Sequence, residues 1–348
     1  MTLAMSAKTL ERGASESAAN RQMAIWLFAM CALVALMVIV GGATRLTDSG
    51  LSITEWRPVT GAIPPLSEAA WLEEFAKYKT IPEYQQVNAG MSLAAFKTIY
   101  WWEWGHRFLG RLIGVAFFAP FVYFVATGKA RGALAAKLGG LFLLGGLQGA
   151  LGWWMVTSGL VDRVDVSQYR LAAHLGLAVL LFGAMFWLAL DLWPDEKPDG
   201  PRRLYIPAIG LAVAIYLQIL LGAFVAGLRA GHVFNTWPLM DGKFIPDGYF
   251  VGAPGFNDLF ETMAAVQFNH RISAYLVAGL SLWFWIVARR TALRDRASAV
   301  LHAVVFQIFL GVAAIIAATP IGLGLLHQAG ALVLFATALY AAHGARDG

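Results

Sequence analysis

Four histidines stand out by where they fall in the chain. His106 sits in Glu103-Trp104-Gly105-His106-Arg107, and His270 in Gln267-Phe268-Asn269-His270-Arg271. His174 closes Leu171-Ala172-Ala173-His174, and His327 closes Leu325-Leu326-His327. Each lies near the predicted start of an apolar span. Two imidazoles offered by neighbouring helices at one depth grip a flat metal cofactor from both faces. A bare metal ion is a poorer match, because no cluster of carboxylates or thiolates completes a shell. One histidine at a helix end is ordinarily interfacial, or hydrogen-bonded to a neighbour. Four at equivalent depth, in two repeat-related pairs, point to ligation. His232 in an outer loop, and His302 and His343 toward the opposite side, fail this test and read as structural.

The two copies differ where it counts. Glu103 precedes His106 by one helical turn and shares its face, while the matching residue before His270 is the neutral Gln267. A carboxylate beside a ligand can take or deliver protons or steer a substrate. The competing reading is an acid that merely complements a helix dipole. The asymmetry suggests one half that does chemistry and one that holds a cofactor. Arg107 and Arg271 follow the histidines in both copies. A cation at a helix start opposes the dipole, so either an anionic cofactor edge or simple interfacial anchoring accounts for them. Arg111 has Tyr275 in its place in the second copy.

These residues must be positioned by helices, and the duplication shows which. Gly41 to Pro65 lies over Gly222 to Pro246 without a gap, matching Gly50 with Gly231, Trp56 with Trp237 and Gly61 with Gly242. Further on, Gln148-x-x-Leu151-Gly152 meets Gln307-x-x-Leu310-Gly311, and His174 meets His327. The register shortens only across outer loops, as expected when loops diverge faster than helices.

Of the 348 residues, 59% are hydrophobic and 14% charged, far outside the range of a soluble domain. Eight spans of roughly 20 residues are predicted, near 23–43, 106–127, 137–157, 171–191, 204–226, 270–288, 298–318 and 321–343. The fold class is therefore an all-α integral membrane protein, with eight transmembrane helices as two tandem four-helix bundles. Four spans per copy is an even number, so the copies insert alike and a pseudo-two-fold axis along the membrane normal relates them. The expected organisation is a cytoplasmic tail (1–22), a first bundle (23–193) with a long outer loop (44–100), a linker (194–203) and a second bundle (204–348). The tail is expected to be disordered, and the outer loop to form a small cap with short helices.

Lys129, Arg131 and Lys137, then Lys197, Arg202 and Arg203, then Arg289, Arg290, Arg294 and Arg296 crowd the short connections on one side. The positive-inside rule puts both termini there, in the cytoplasm. The first 22 residues lack the apolar core of a secretory signal, and Glu11 and Glu16 argue against a transit peptide, leaving a bacterial inner membrane. The net charge of +5 needs no nucleic acid to explain it. The single cysteine, Cys31, excludes an intramolecular disulfide and reads as apolar filler.

The run Gly41-Gly42-Ala43-Thr44-Arg45-Leu46-Thr47-Asp48-Ser49-Gly50-Leu51-Ser52, the Glu-x-x-His-Arg at Glu103 to Arg107 and the repeated bis-histidine plan closely resemble the haem A synthase family. The resemblance covers nearly the whole chain. It implies oxidation of the C8 methyl of haem O to a formyl group, giving haem A for cytochrome oxidase. It also implies a resident haem b in the C-terminal half on His270 and His327, substrate haem O on His106 and His174, and a functional Glu103. Haem O synthase, other cytochrome oxidase assembly factors, an unidentified electron partner and a homo-oligomer follow as implied partners. Some members carry cysteine pairs in outer loops; this chain has none, so a thiol-linked step does not transfer.

Two other classes compete. A di-haem b-type electron carrier would place haems at both depths, whereas these four histidines share one. A transporter with parallel repeats would show broken helices and charged groups at mid-membrane, which are few here.

Overall fold

The computed structural model describes residues 2–194, 200–250 and 258–346. The chain is helical throughout: α1 (Thr2–Leu46), α2 (Glu68–Tyr78), α3 (Pro82–Gln86), α4 (Leu93–Ala126), α5 (Gly132–Thr157), α6 (Gln168–Leu192), α7 (Tyr205–Gly227), α8 (Asp258–Glu261), α9 (Met263–Ala288), α10 (Arg294–Ile316) and α11 (Ile321–Gly344). Among the described residues, eight helices are long and apolar enough to cross a membrane: α1, α4, α5, α6, α7, α9, α10 and α11. All eight expected spans are therefore present.

The helices begin where capping chemistry allows. Ser92 Oγ accepts the Ala95 N–H at 3.2 Å to open α4, and Thr262 Oγ1 accepts the Ala265 N–H at 3.0 Å to open α9. α1 packs on α4, α6 and α11, and α5 packs between α4 and α6. α7 packs on α9 and α11, and α10 on α9 and α11. α6 meets α7 and α11, joining the two groups. The shared core includes Leu27, Val179, Phe182, Ile215, Phe284 and Phe335.

Several expectations need correction. α1 is longer than the expected first span and begins at Thr2. Residues 2–22 hold five alanines and no proline. α4 opens at Leu93, well before the expected boundary. Its 34 residues reach about 50 Å, against a hydrocarbon thickness of about 30 Å, so its polar N-terminal end projects beyond the length a crossing needs. Part of the expected linker 194–203 lies outside the described residues, as do residues 251–257 of the second outer loop.

The projecting end of α4 carries the cap. α2 packs on it, and Leu51, Trp71, Phe75, Tyr78, Phe96 and Tyr100 form a second apolar core. On the opposite face, Lys129 Nζ donates to Gln22 Oε1 at 2.9 Å, and the Gly200 N–H donates to the Gly344 carbonyl at 2.9 Å. The α4–α5 turn, the linker, and the chain near both termini thus share one face.

Candidate functional site

The four histidines lie on α4, α6, α9 and α11. His106 is more than three turns inside α4, not at its start, because the helix extends into the cap. The helix-dipole arguments for Glu103 and Arg107 therefore lapse; neither residue is in a first or last turn.

Each histidine ring rests against a glycine of a neighbouring helix. A Cβ on Gly41 of α1 would stand 3.1 Å from His106 Nε2, and one on Gly222 of α7 would stand 3.2 Å from His270 Cε1. On Gly152 of α5 and Gly311 of α10 it would stand 2.9 Å from Cε1 of His174 and His327 respectively. Gly41 matches Gly222 and Gly152 matches Gly311 in the repeat register. The same two seats recur in each half because the ring needs a surface without a side chain.

His270 and His327 face each other, with ring centroids 6.3 Å apart and planes crossed at 82°. Two metal–imidazole bonds of about 2 Å each, with the two ring radii, span that same gap. His327 Nδ1 is buried without a hydrogen-bond partner, and both rings remain partly accessible. The donor set therefore fits an iron held between two imidazoles, as in a bis-histidine haem.

Around each pair the polar contacts are built alike, with one reversal. Glu103 is 2% exposed. Its Oε2 accepts from Ser52 Oγ at 2.7 Å and from the Ile53 N–H at 2.8 Å. Its Oε1 accepts from Arg107 Nη2 at 2.6 Å and Nε at 3.0 Å. Every partner is a donor, which suits an acceptor-only carboxylate. Gln267 makes the opposite use of its position: Nε2 donates to the carbonyls of Ala230 and Val233, each at 2.7 Å. In the repeat register these residues match Ser49 and Ser52. The acid pulls in donors and the amide pulls in carbonyls, and both tie the outer loop to the histidine-bearing helix.

The arginines complete the tie. Arg107 Nη2 donates to the Ile53 carbonyl at 2.7 Å and Nη1 to that of Glu55 at 2.9 Å. Arg271 repeats this on Phe234 at 2.7 Å and Thr236 at 2.8 Å. In both copies the guanidinium thus ties the loop to the histidine-bearing helix. Arg111 adds a tie special to the first half, donating to the carbonyls of Arg57 and Pro58 at 2.7 and 2.8 Å.

Three glutamines were missed in the sequence as functional residues. Gln148 Nε2 donates to the His174 carbonyl at 2.9 Å, Gln218 Nε2 to that of His270 at 2.9 Å, and Gln307 Nε2 to that of His327 at 2.7 Å. The available signal was the repeat register, which pairs Gln148 with Gln307. The remaining histidines lie elsewhere: His343 Nε2 meets Asp191 Oδ1 at 3.0 Å, His302 is exposed, and His232 borders an outer surface cavity. Among the described residues there is no cluster of His, Cys, Asp and Glu side chains that would hold a bare metal ion.

Fold and site define an all-helical, multi-pass membrane protein with two histidines, His270 and His327, facing each other from separate helices. The chain belongs to the COX15-CtaA family of cytochrome oxidase assembly proteins, whose profile matches residues 24–339. It is 55% identical over 324 residues to the heme A synthase of Parvibaculum lavamentivorans, covering 93% of this chain and 94% of that relative. It is 51% identical over 333 residues to the heme A synthase of Maricaulis maris, covering 95% and 98%. It is 54% identical over 327 residues to that of Azorhizobium caulinodans, covering 92% and 93%.

Proposed function

We propose that this chain is a haem A synthase, an oxidoreductase that converts haem O to haem A in a bacterial membrane, and that its two halves divide the work. The identity and coverage of its relatives support the activity. The observation that carries the division of labour is the reversal at one register position, Glu103 against Gln267. His270 and His327 would hold a resident haem b, and His106 and His174 the substrate haem O. A bis-histidine haem b supplies one-electron transfer when bound.

The chain's own residues do the rest. The glycine seats fix the depth of each ring. Arg107 and Arg271 fasten the outer loops over the two sites and bring positive charge to their outer edge, where carboxylates of a bound haem find a counter-ion. Glu103 is held by Ser52, Ile53 and Arg107 within one helical turn of His106, poised to take a proton as the substrate methyl is oxidised. The two halves are tandem four-helix bundles related by a pseudo-two-fold axis along the membrane normal. Both termini lie in the cytoplasm, on the face that collects Lys129, Arg202, Arg289 and Arg290. Haem O synthase, an electron partner and further copies of this chain are its expected associates.

The test is extraction of haems from protein expressed together with haem O synthase, followed by mass identification. Haem B accompanied by haem O, haem A or a hydroxylated form supports the reading. Two equivalents of haem B alone, with haem O available, would make the chain an electron carrier instead.

A further inference from the structure

Three of the four histidines are braced by a glutamine, and one is not. Gln148 of α5, Gln218 of α7 and Gln307 of α10 each bind the backbone carbonyl of their histidine, at 2.9, 2.9 and 2.7 Å. Two of the amides also lie against the ring, Gln148 Nε2 at 3.2 Å from His174 Nδ1 and Gln218 Nε2 at 3.1 Å from His270 Nδ1. The tie shared by all three histidines is therefore the one to the backbone carbonyl, which fixes the turn of helix that carries the ring.

The register Gly41–Gly222 places Met37 where Gln218 stands. The register His106–His270 places Leu109 where Ser273 stands. In the C-terminal half, Ser273 Oγ donates to Gln218 Oε1, and it also reaches the carbonyls of Asn269 at 2.8 Å and His270 at 3.1 Å. The polar pair Gln218–Ser273 is thus replaced, as a pair, by Met37–Leu109. Met37 packs toward α4, its Cε 3.0 Å from where a Cβ on Gly110 would lie. Among the described residues, no side chain hydrogen-bonds the His106 ring or its carbonyl. A coordinated swap of both partners removes the brace without stranding a buried polar group.

We propose that His106 is the exchangeable ligand of the protein, and that Gln148, Gln218 and Gln307 are positioning residues that keep the other three histidines in place. The inference rests on the assignment of the first half to substrate. A resident haem needs both ligands held. A substrate haem must enter and leave, so one iron–imidazole bond must break and re-form at each exchange. A partner outside the coordination sphere restricts how a ligand is placed, and its loss typically weakens metal binding by about 10- to 100-fold. Met37 and Leu109 leave His106 in that weakened condition, while Gln148 keeps His174 as the constant partner.

The experiment transplants the brace in both directions, using the full chain purified in detergent and loaded with haem b, with release followed by capture on excess apomyoglobin. Gln218→Met with Ser273→Leu should speed release from the C-terminal site about tenfold or more and alter its low-spin ferric EPR signal. Met37→Gln with Leu109→Ser should slow release from the first half and sharpen its bis-histidine EPR signal. Unchanged release and unchanged EPR spectra in both directions overturn the proposal. Should the first pair of substitutions fail to fold, the second decides alone, since it adds a brace and removes none. Failure of the underlying assignment looks different: the C-terminal EPR signal would then survive His270→Ala.

Discussion

Asp48 and Arg229 hold the same register position in the two copies, and they are bound to each other, with Arg229 Nη2 2.7 Å from Asp48 Oδ1. Both residues take the left-handed conformation, φ 50° and 53°, at the corner that follows α1 and α7. Identical charges brought together at such a corner would repel. Divergence to opposite signs makes the contact attractive. Asp165 extends the cluster, accepting from Arg229 at 2.9 Å and from Arg45 at 3.0 Å.

Asp48 and Arg229 are 49% and 41% exposed in their side chains, so the pair is screened. A double-mutant cycle of Asp48→Ala and Arg229→Ala in thermal or denaturant unfolding should give a coupling of about 0.5–1 kcal/mol, falling with added salt. Additive effects would show that the two corners do not support each other.

Glu103→Gln keeps one acceptor where the carboxylate had two, and it turns an amide toward Ser52 Oγ and the Ile53 N–H. Haem A formation should be lost or stalled while haem b content is retained. Undiminished haem A output would make Glu103 a clamp only. The reciprocal Gln267→Glu faces a carboxylate toward the carbonyls of Ala230 and Val233. It should destabilise the C-terminal outer loop by about 1–3 kcal/mol and lower haem b content in purified protein.

The glycine seats predict a half-specific defect. Gly311→Ala places a methyl 2.9 Å from His327 Cε1, tighter than ordinary contact, and should displace the ring and remove haem b. Gly152→Ala meets His174 at the same distance and should spare haem b while reducing bound haem O and haem A. Haem analysis of the two variants separates these outcomes. Loss of both haems in both would mean that the halves do not act separately.

Glu83 in the cap is 5% exposed, and Tyr78 Oη donates to it at 3.2 Å. Burial, with the nearby charges of Glu103, Asp48 and Asp165, pushes its carboxyl up to about 8 from an ordinary 4.5, although the Tyr78 hydrogen bond opposes the rise. The folded state therefore keeps a proton that the unfolded chain has lost. Stability falls as pH rises from about 4.5 to about 8, and the loss is complete above that. Glu83→Gln should flatten this slope and leave the protein relatively more stable at alkaline pH, as pH-dependent melting would show. An unchanged slope would mean that Glu83 is ionised throughout.

Much of the site was legible before any fold was built. The spans follow from hydropathy. The pairing of His106 with His270 and of His174 with His327 follows from the repeat, because helices keep their length while loops drift. Reading His106 as a helix start failed for a physical reason: periodicity and hydropathy mark where a helix enters the bilayer, not how far it continues in water.

The sequence by itself determined eight membrane spans, four histidines at matching register positions, and a charge difference between Glu103 and Gln267. Those are properties of pattern along one chain, and repeats make them visible. Only the tertiary structure decided which groups those residues touch. Ser52 and the Ile53 N–H meet Glu103, Gly311 seats His327, and Gln218 braces His270 while Met37 leaves His106 unbraced. Each of these contacts joins residues far apart in the chain on separately packed helices. Local propensity carries no information about which faces will meet, because that is set by how whole helices bury their apolar surfaces together.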